Sequence, residues 1–422
     1  MFTTLTETKF EWLNDKKRSK CLVVFVHGMN GQNNSEKIKK LIANPEACFG
    51  QGEPLHANLD EIKHAALLKP TYKCNAISTL DPSQLAADLQ WLIYEIVKKH
   101  KFEKVILAGH SLGAILIRKA TAYGLGQLDD HPHPDLGKER QWAWAEDSNG
   151  QTTQLARLVL LAGINRGWST SPKPNNRSIG AHCRMVVGAT IGRIVPKFGR
   201  LLMSIERGSP FIANLRIQWI RLTRDPNIVA PQVTQLLGTL DGLVSDEDNR
   251  DITVAKDFKF VSVPSSSHSS ILDFEDTTEM INGEPINRVR AQAILVALSG
   301  ISRADRFDKT QTQIEKNAKT RSMHLDSGRK TKQIAFLMHG IRDNSDWPRR
   351  LREEIQLLEV ASQAEGKTYC VVSSYGYFSM SRFLLWNCRQ KNVRWFMDQY
   401  TEAIATSEMD RVKSRICCKL GL

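Results

Sequence analysis

Three features of the sequence predict an α/β fold built on a mostly parallel, doubly wound sheet. Short runs of apolar, often β-branched residues alternate with longer segments whose apolar residues fall at helical spacing. Leu22 to Val26 is apolar at every position, as expected of a strand with helices covering both faces of its sheet. One run, Val105 to Ala108, passes through Gly109-His110-Ser111-Leu112-Gly113 straight into an apolar helix.

Taken in order, residues 1–20 form a polar lead-in, with Phe10 and Trp12 available to dock on the body. Leu22 to Val26 is a continuous apolar strand that ends in His27-Gly28 and a loop of small polar residues. Ser35 can cap a helix over Ser35 to Ala43. Residues 44–68 read as loop plus a helical piece near Leu59 to Leu68, and Tyr72 to Thr79 as the next strand. Asp81 or Pro82 opens a helix, since Leu85, Leu89, Leu92, Ile93 and Ile96 share one face. The strand and turn at Ser111 follow.

Residues 125–153 are polar and read as a surface insertion holding His131, His133, Trp142 and Trp144. Ala156 to Ala162 is a fourth strand. Residues 169–224 then break the alternation. Two apolar-basic stretches, Met185 to Met203 and Phe211 to Leu222, predict a helical cap over the sheet's C-terminal edge, with room for an acyl chain beneath it. Helices packed on the body are the alternative, and peripheral membrane contact is a third reading. Gln232 to Gly238 and Phe258 to Val263 resume the strands, and Ile286 to Leu298 closes the unit as a helix.

The chemistry follows from the turn. A serine at the tip of a sharp strand-to-helix turn exposes its hydroxyl, and glycines two residues to either side let strand and helix pass closely. The next backbone N–H, that of Leu112, lies at a helix N-terminus, where it can face an oxyanion. The loop His27-Gly28-Met29 offers a second donor through the N–H of Met29. A serine hydroxyl also needs a base, and that base a carboxylate. Of the histidines between Ser111 and residue 300, His268 alone sits in a loop directly after a predicted late strand. Asp241 lies three residues beyond the strand end at Gly238 and is the favoured acid. Asp246 is second, in an acidic cluster that also reads as a solvated turn. Asp225 is third, because it precedes its strand.

These residues carry a resemblance. VVFVHGMNG, VILAGHSLGA, LLGTLDGLVSDED and VPSSSHSSI resemble, in order, the oxyanion loop, nucleophile elbow, acid loop and histidine loop of the α/β-hydrolase superfamily, lipase/esterase branch. GSPFIANL is similar to cap sequence of its triacylglycerol-lipase-like and inositol-deacylase-like members. The resemblance covers residues 21–300. It implies a serine esterase acting on a small-molecule or lipid ester, with Ser111, His268 and Asp241 as triad and no cofactor or metal. The alternative is a catalytically weak scaffold that uses the same platform and a basic C-terminal half.

Beyond a polar, basic linker at 301–331, residues 332–422 begin the pattern again. QIAFLMHGIRD ends in His339-Gly340, with a helix over Leu351 to Leu358, a strand over Tyr369 to Tyr377 and a helix over Asn392 to Ile404. This reads as an incomplete second copy, because no further G-x-S-x-G follows.

Composition bounds the rest. A chain of 422 residues, 41% hydrophobic and 24% charged, is an ordinary globular one. The net charge of +13 is concentrated in residues 301–422, which hold 22 Lys and Arg against 14 Asp and Glu. No zinc-finger or RNA-binding signature accompanies it, so specific nucleic-acid binding is not expected. No run approaches the roughly 18–20 apolar residues of a membrane span. The first 20 residues lack the apolar core of a secretory signal, which points to the cytoplasm. The eight cysteines are scattered, and neither they nor the proline-spaced pair His131 and His133 forms a ligand set for zinc.

Overall fold

The computed structural model describes residues 9–14, 19–29, 31, 33–49, 57–72, 74–75, 78–142, 153–169, 200–251, 259–275, 277–300, 331–338, 347–362, 367–373 and 386–406. Among these, Lys9–Trp12 (β1), Cys21–Val26 (β2), Ala66–Thr71 (β3), Lys104–His110 (β4), Gln154–Leu161 (β5), Gln232–Gly238 (β6) and Lys259–Val263 (β7) form one sheet. Its order is β1-β3-β2-β4-β5-β6-β7. All neighbours are parallel except β1, which adds antiparallel to β3. This is the α/β-hydrolase architecture that the four motifs predict.

Successive residues of a strand face opposite sides of the sheet, and here both sides are core. In β2, Leu22, Val24 and Val26 enter one apolar cluster, while Cys21, Val23 and Phe25 enter the other. Asn34–Ala43 (α1) and Ala57–Lys63 (α2) cover the second face. Pro82–His100 (α3) and Leu112–Gly124 (α4) cover the first. The short Pro134–Glu139 (α5) follows α4. Pro210–Arg224 (α6) adds to the first face and Ile286–Ser299 (α7) to the second. The caps are those expected from sequence at α3, where the Asp81 side chain accepts from the Ser83 N–H at 2.9 Å and Pro82 takes the first turn.

Four expectations need correction. The third strand is Ala66–Thr71, not Tyr72 to Thr79, and the helix before it stops at Lys63. Ala66, Leu67 and Leu68 are fully buried beside β2, and that ladder ends at Leu68, so Pro70 costs no bond there. The lead-in holds an edge strand, Lys9–Trp12, in which Trp12 docks edge-on against His100 at 5.4 Å as expected while Phe10 stays exposed. The insertion after α4 is partly core. Trp142 is buried over Gly124 and donates from its indole to the Gln90 carbonyl at 3.1 Å. His131 is buried there too, bonded to Gln90 Oε1 at 3.0 Å and accepting the His133 N–H at 2.9 Å.

The fourth correction concerns the cap. Residues 170–199, most of its first stretch, lie outside the described residues. The second stretch, α6, packs on the body as the crossover between β5 and β6. Ser209 caps it, and Phe211, Ile212, Leu215, Trp219 and Leu222 bury one face. Trp219 donates to the Arg118 carbonyl of α4 at 3.2 Å.

The opposite face of α6 receives the C-terminal elements. Thr331–Met338 (β8) and Lys367–Ser373 (β9) pair in parallel around Trp347–Ala361 (α8), and Trp386–Thr406 (α9) lies against α6. Of the linker expected at 301–331, residues 301–330 lie outside the described residues, as does the His339-Gly340 turn, and Thr331 already begins β8. Ile220 of α6 joins Ile334, Phe336, Ala403 and Ile404 in a small third cluster. Beside it Arg216, 1% exposed, reaches across the contact. It binds Asp251 at 3.4 Å, and Asp398 at 3.3 Å and Glu402 at 2.7 Å on α9. Arg118 holds the other oxygen of Asp251 at 2.9 Å, with both side chains fully buried.

Two outcomes follow from these buried groups. Arg216→Ala strips a buried carboxylate cluster of its central cation and is expected to destabilise the chain by about 3–5 kcal/mol, read as a shift in urea midpoint. Burial pushes the His131 imidazole down to about 4. The unfolded histidine takes its proton near pH ~6.5 while the folded one resists, so stability falls as pH drops through that window. Urea midpoints at neutral and mildly acid pH should show a smaller acid loss for His131→Gln, which cannot titrate.

Candidate active site

The parallel register brings five strand ends to one edge. Val26 pairs with Gly109, His110 with Leu161 and Gly238 with Val263, so the segments after β2, β4, β5, β6 and β7 leave the sheet together. Ser111 occupies the single residue between β4 and α4. Its φ of 56° and ψ of −117° lie outside the regions a side chain prefers, a strain of about 1–3 kcal/mol that the surroundings must hold. The Ser111 N–H still donates to the Leu161 carbonyl at 2.9 Å, which extends the β4–β5 ladder into the turn. A side chain at Gly113 would meet the Val26 carbonyl at 2.1 Å, and one at Gly28 would meet Ser111 Cβ at 2.8 Å. The first turn of α4 and the loop after β2 therefore close on the serine from two sides.

Ser111 Oγ is 3.0 Å from His268 Nε2, and His268 Nδ1 is 3.0 Å from Asp241 Oδ2. With the carboxylate ionised, Nδ1 carries the proton and donates to Asp241, which leaves Nε2 to accept from the serine hydroxyl. The other oxygen of Asp241 accepts the N–H groups of Leu243 and Val244, both at 2.9 Å. The Asp241 side chain is 1% exposed and that of His268 is 18% exposed. The loops carrying them are stitched together, with Thr239 N–H bonded to the Val263 carbonyl at 3.0 Å and Leu240 N–H to the Ser266 carbonyl at 2.9 Å.

The other two candidate acids are engaged elsewhere. Asp246 is an exposed partner of Arg250 at 2.7 Å, and Asp225 closes an exposed turn onto the Asn227 N–H at 2.9 Å. Leu112 is the first residue of α4, and Met29 follows Gly28 on the loop against Ser111. Their N–H groups thus belong to the two segments that flank the hydroxyl.

Three neighbours support these residues: His27, placed by its sequence position on the loop after β2, and Tyr72 and His110, whose contacts no motif marks. Tyr72 donates from its hydroxyl to the His27 carbonyl, and its ring stacks on the His27 imidazole at 4.4 Å. The two fix the end of β2 from a position 45 residues away, which no local pattern signals. His27 Nδ1–H donates to the Gly28 carbonyl at 2.7 Å, and burial holds its pKa below the ordinary imidazole value. His110 was legible as a member of the glycine turn, but its bond to the His268 carbonyl was not. Among the described residues no group of three or more His, Cys, Asp or Glu is arranged to hold a metal. No described helix is long and apolar enough to cross a membrane.

No protein-family model matches the chain, and no curated protein matches it. Among solved structures it is similar to a monoacylglycerol lipase from Paleococcus ferrophilus, at 15% identity over 70% of this chain and 100% of that one, with a TM-score of 0.37. It is similar to phospholipase PlaB from Legionella pneumophila, at 16% identity over 78% of this chain and 71% of that one, with a TM-score of 0.41. A lipase-esterase related protein from Clostridium acetobutylicum is 10% identical over 70% of this chain and 100% of that one, with a TM-score of 0.37. Likeness of this degree says nothing about reaction or substrate.

Proposed function

We propose that the chain is a serine hydrolase that cleaves a carboxylic ester of a lipid or acyl group. The observation that carries this reading is the hydrogen-bonded line from Ser111 Oγ through His268 to Asp241 at the tip of a strained elbow. Ser111 Oγ attacks the ester carbonyl as its proton passes to His268 Nε2. The tetrahedral oxyanion takes the N–H groups of Leu112 and Met29. Collapse breaks the bond to the leaving oxygen, which receives the proton from Nε2, and leaves an acyl-Ser111. Water then attacks that acyl group, giving a proton to His268, and the acid departs as Ser111 regains its hydrogen. Asp241 holds His268 in the required tautomer and stabilises the imidazolium that forms twice per cycle. Leu240, half-exposed on the loop that carries Asp241, and the partly buried Leu243 on the same loop and Met29 on the loop after β2 would offer apolar surface to an acyl substituent. A thioester would use the same groups.

Turnover is assigned to Ser111. Ser111→Ala should lower turnover of a p-nitrophenyl ester series by on the order of 10³–10⁶ and abolish labelling by a fluorophosphonate probe. A wild-type chain that folds yet refuses the probe would return the function to a non-catalytic platform. Asp241→Asn preserves shape but lets His268 adopt the wrong tautomer, and should cost about 10⁴ in kcat with the thermal midpoint little changed.

A further inference from the structure

We propose that His110, the residue before the nucleophile, is a positioning residue that braces His268 through its main chain. The inference rests on the serine-hydrolase reading and adds to it a group that touches neither substrate nor reacting atoms.

His268 must keep two hydrogen bonds at once, to Ser111 and to Asp241, from a loop with no regular structure. Most tethers of that loop hold its neighbours. Arg290 donates to Ser266 Oγ at 2.9 Å and to the Ser265 carbonyl at 2.8 Å. Ser267 and Ser270 bond each other across the far side, with Ser267 N–H to Ser270 Oγ at 2.8 Å. The bond that reaches the main chain of His268 itself comes from His110, whose Nε2 lies 2.9 Å from the His268 carbonyl oxygen. His110 suits this task because it does not move with the loop. It is the last residue of β4, paired with Leu161 of β5, and is 5% exposed. One rigid strand end thus presents the nucleophile on residue 111 and the brace for its base on residue 110, across 158 positions of sequence.

The bond fixes the tautomer of His110. Nε2 must carry the hydrogen, so Nδ1 is a lone pair. Among the described residues that buried nitrogen has no partner, as expected of an imidazole that never takes a second proton. Burial, and next the neighbouring His268, push the His110 pKa down to about 3. The two rings are 5.1 Å apart, and His268 becomes cationic during the cycle. A neutral neighbour that donates to its backbone steadies it without opposing that charge.

His110→Leu removes the donor and keeps the bulk. His110→Gln keeps an N–H at nearly the distance of Nε2. Loss of the brace lets His268 drift relative to Ser111, and a misplacement of ~1 Å costs on the order of 10²-fold in rate. For His110→Leu, kcat per fluorophosphonate-titrated site should fall by roughly 10- to 100-fold with KM within about twofold. The acid limb of its kcat/KM–pH profile should shift as the His268–Asp241 bond loosens, and His110→Gln should restore most of both. If His110→Leu does not fold, His110→Asn, whose amide falls a bond short, is compared with His110→Gln on the same two measures. Equal kcat per titrated site and superimposable pH profiles in wild type and variant overturn the positioning role and leave the hydrolase reading intact. A wild type that neither labels nor turns over esters overturns both.

Discussion

One residue carries the geometric conflict on which the site depends. Between β4 and α4 the chain must reverse from an extended to a helical path within Ser111 alone, and it does so at φ 56°. Such a backbone persists only where the surroundings over-determine it. Here the ladder to Leu161 holds it from below, the bare Cα of Gly113 lets α4 lie on the end of β2, and Gly28 lets the preceding loop close over it. The same turn aims Oγ at His268 and sets the N–H of Leu112 at the start of a helix, so the strain, the placement of the hydroxyl and the local electrostatics share one cause.

Parallel register then does the assembling. Because β2, β4, β5, β6 and β7 run the same way and end level, segments distant in sequence leave the sheet side by side. Asp241 and His268 come from adjacent strands, and their loops are hydrogen-bonded to each other before either reaches Ser111. The site therefore needs few contacts of its own. Most of its precision is borrowed from a sheet whose both faces are filled, one by α3, α4 and α6 and the other by α1, α2 and α7.

The C-terminal elements are tied to this body by charge as well as by apolar contact. Arg216 is buried between Asp251 of the main body and Asp398 and Glu402 of α9, and Arg118 shares Asp251 from α4. Buried ion pairs add little net stability over an apolar core, but breaking one is costly, so such a cluster specifies which surfaces meet. Asp251 also accepts its position from Gln235 of β6, the strand that leads to Asp241. The docking of α9, through the Asp251 side chain, and the strand that leads to Asp241, through the Asp251 main chain, thus meet at one residue.

What the sequence determined by itself is local or periodic. Apolar runs marked β2, β4, β5 and β6, the glycine turn marked the elbow at Ser111, and chain order singled out Asp241 and His268. These signals survive without tertiary knowledge because strand burial, turn sterics and helix spacing act over a few residues. The tertiary structure alone decided the rest. It moved the third strand to Ala66–Thr71, where burial beside β2 outweighed the β-branched pattern downstream. It laid α6 on the body, since its apolar face matched α4. It separated Asp241 from Asp246 and Asp225 by setting only the first against His268. It also joined Tyr72 to His27, His110 to His268 and Arg216 to α9. These pairs lie tens to hundreds of residues apart, and nothing short-ranged in the chain records which partners a shared sheet edge or helix face will bring into contact.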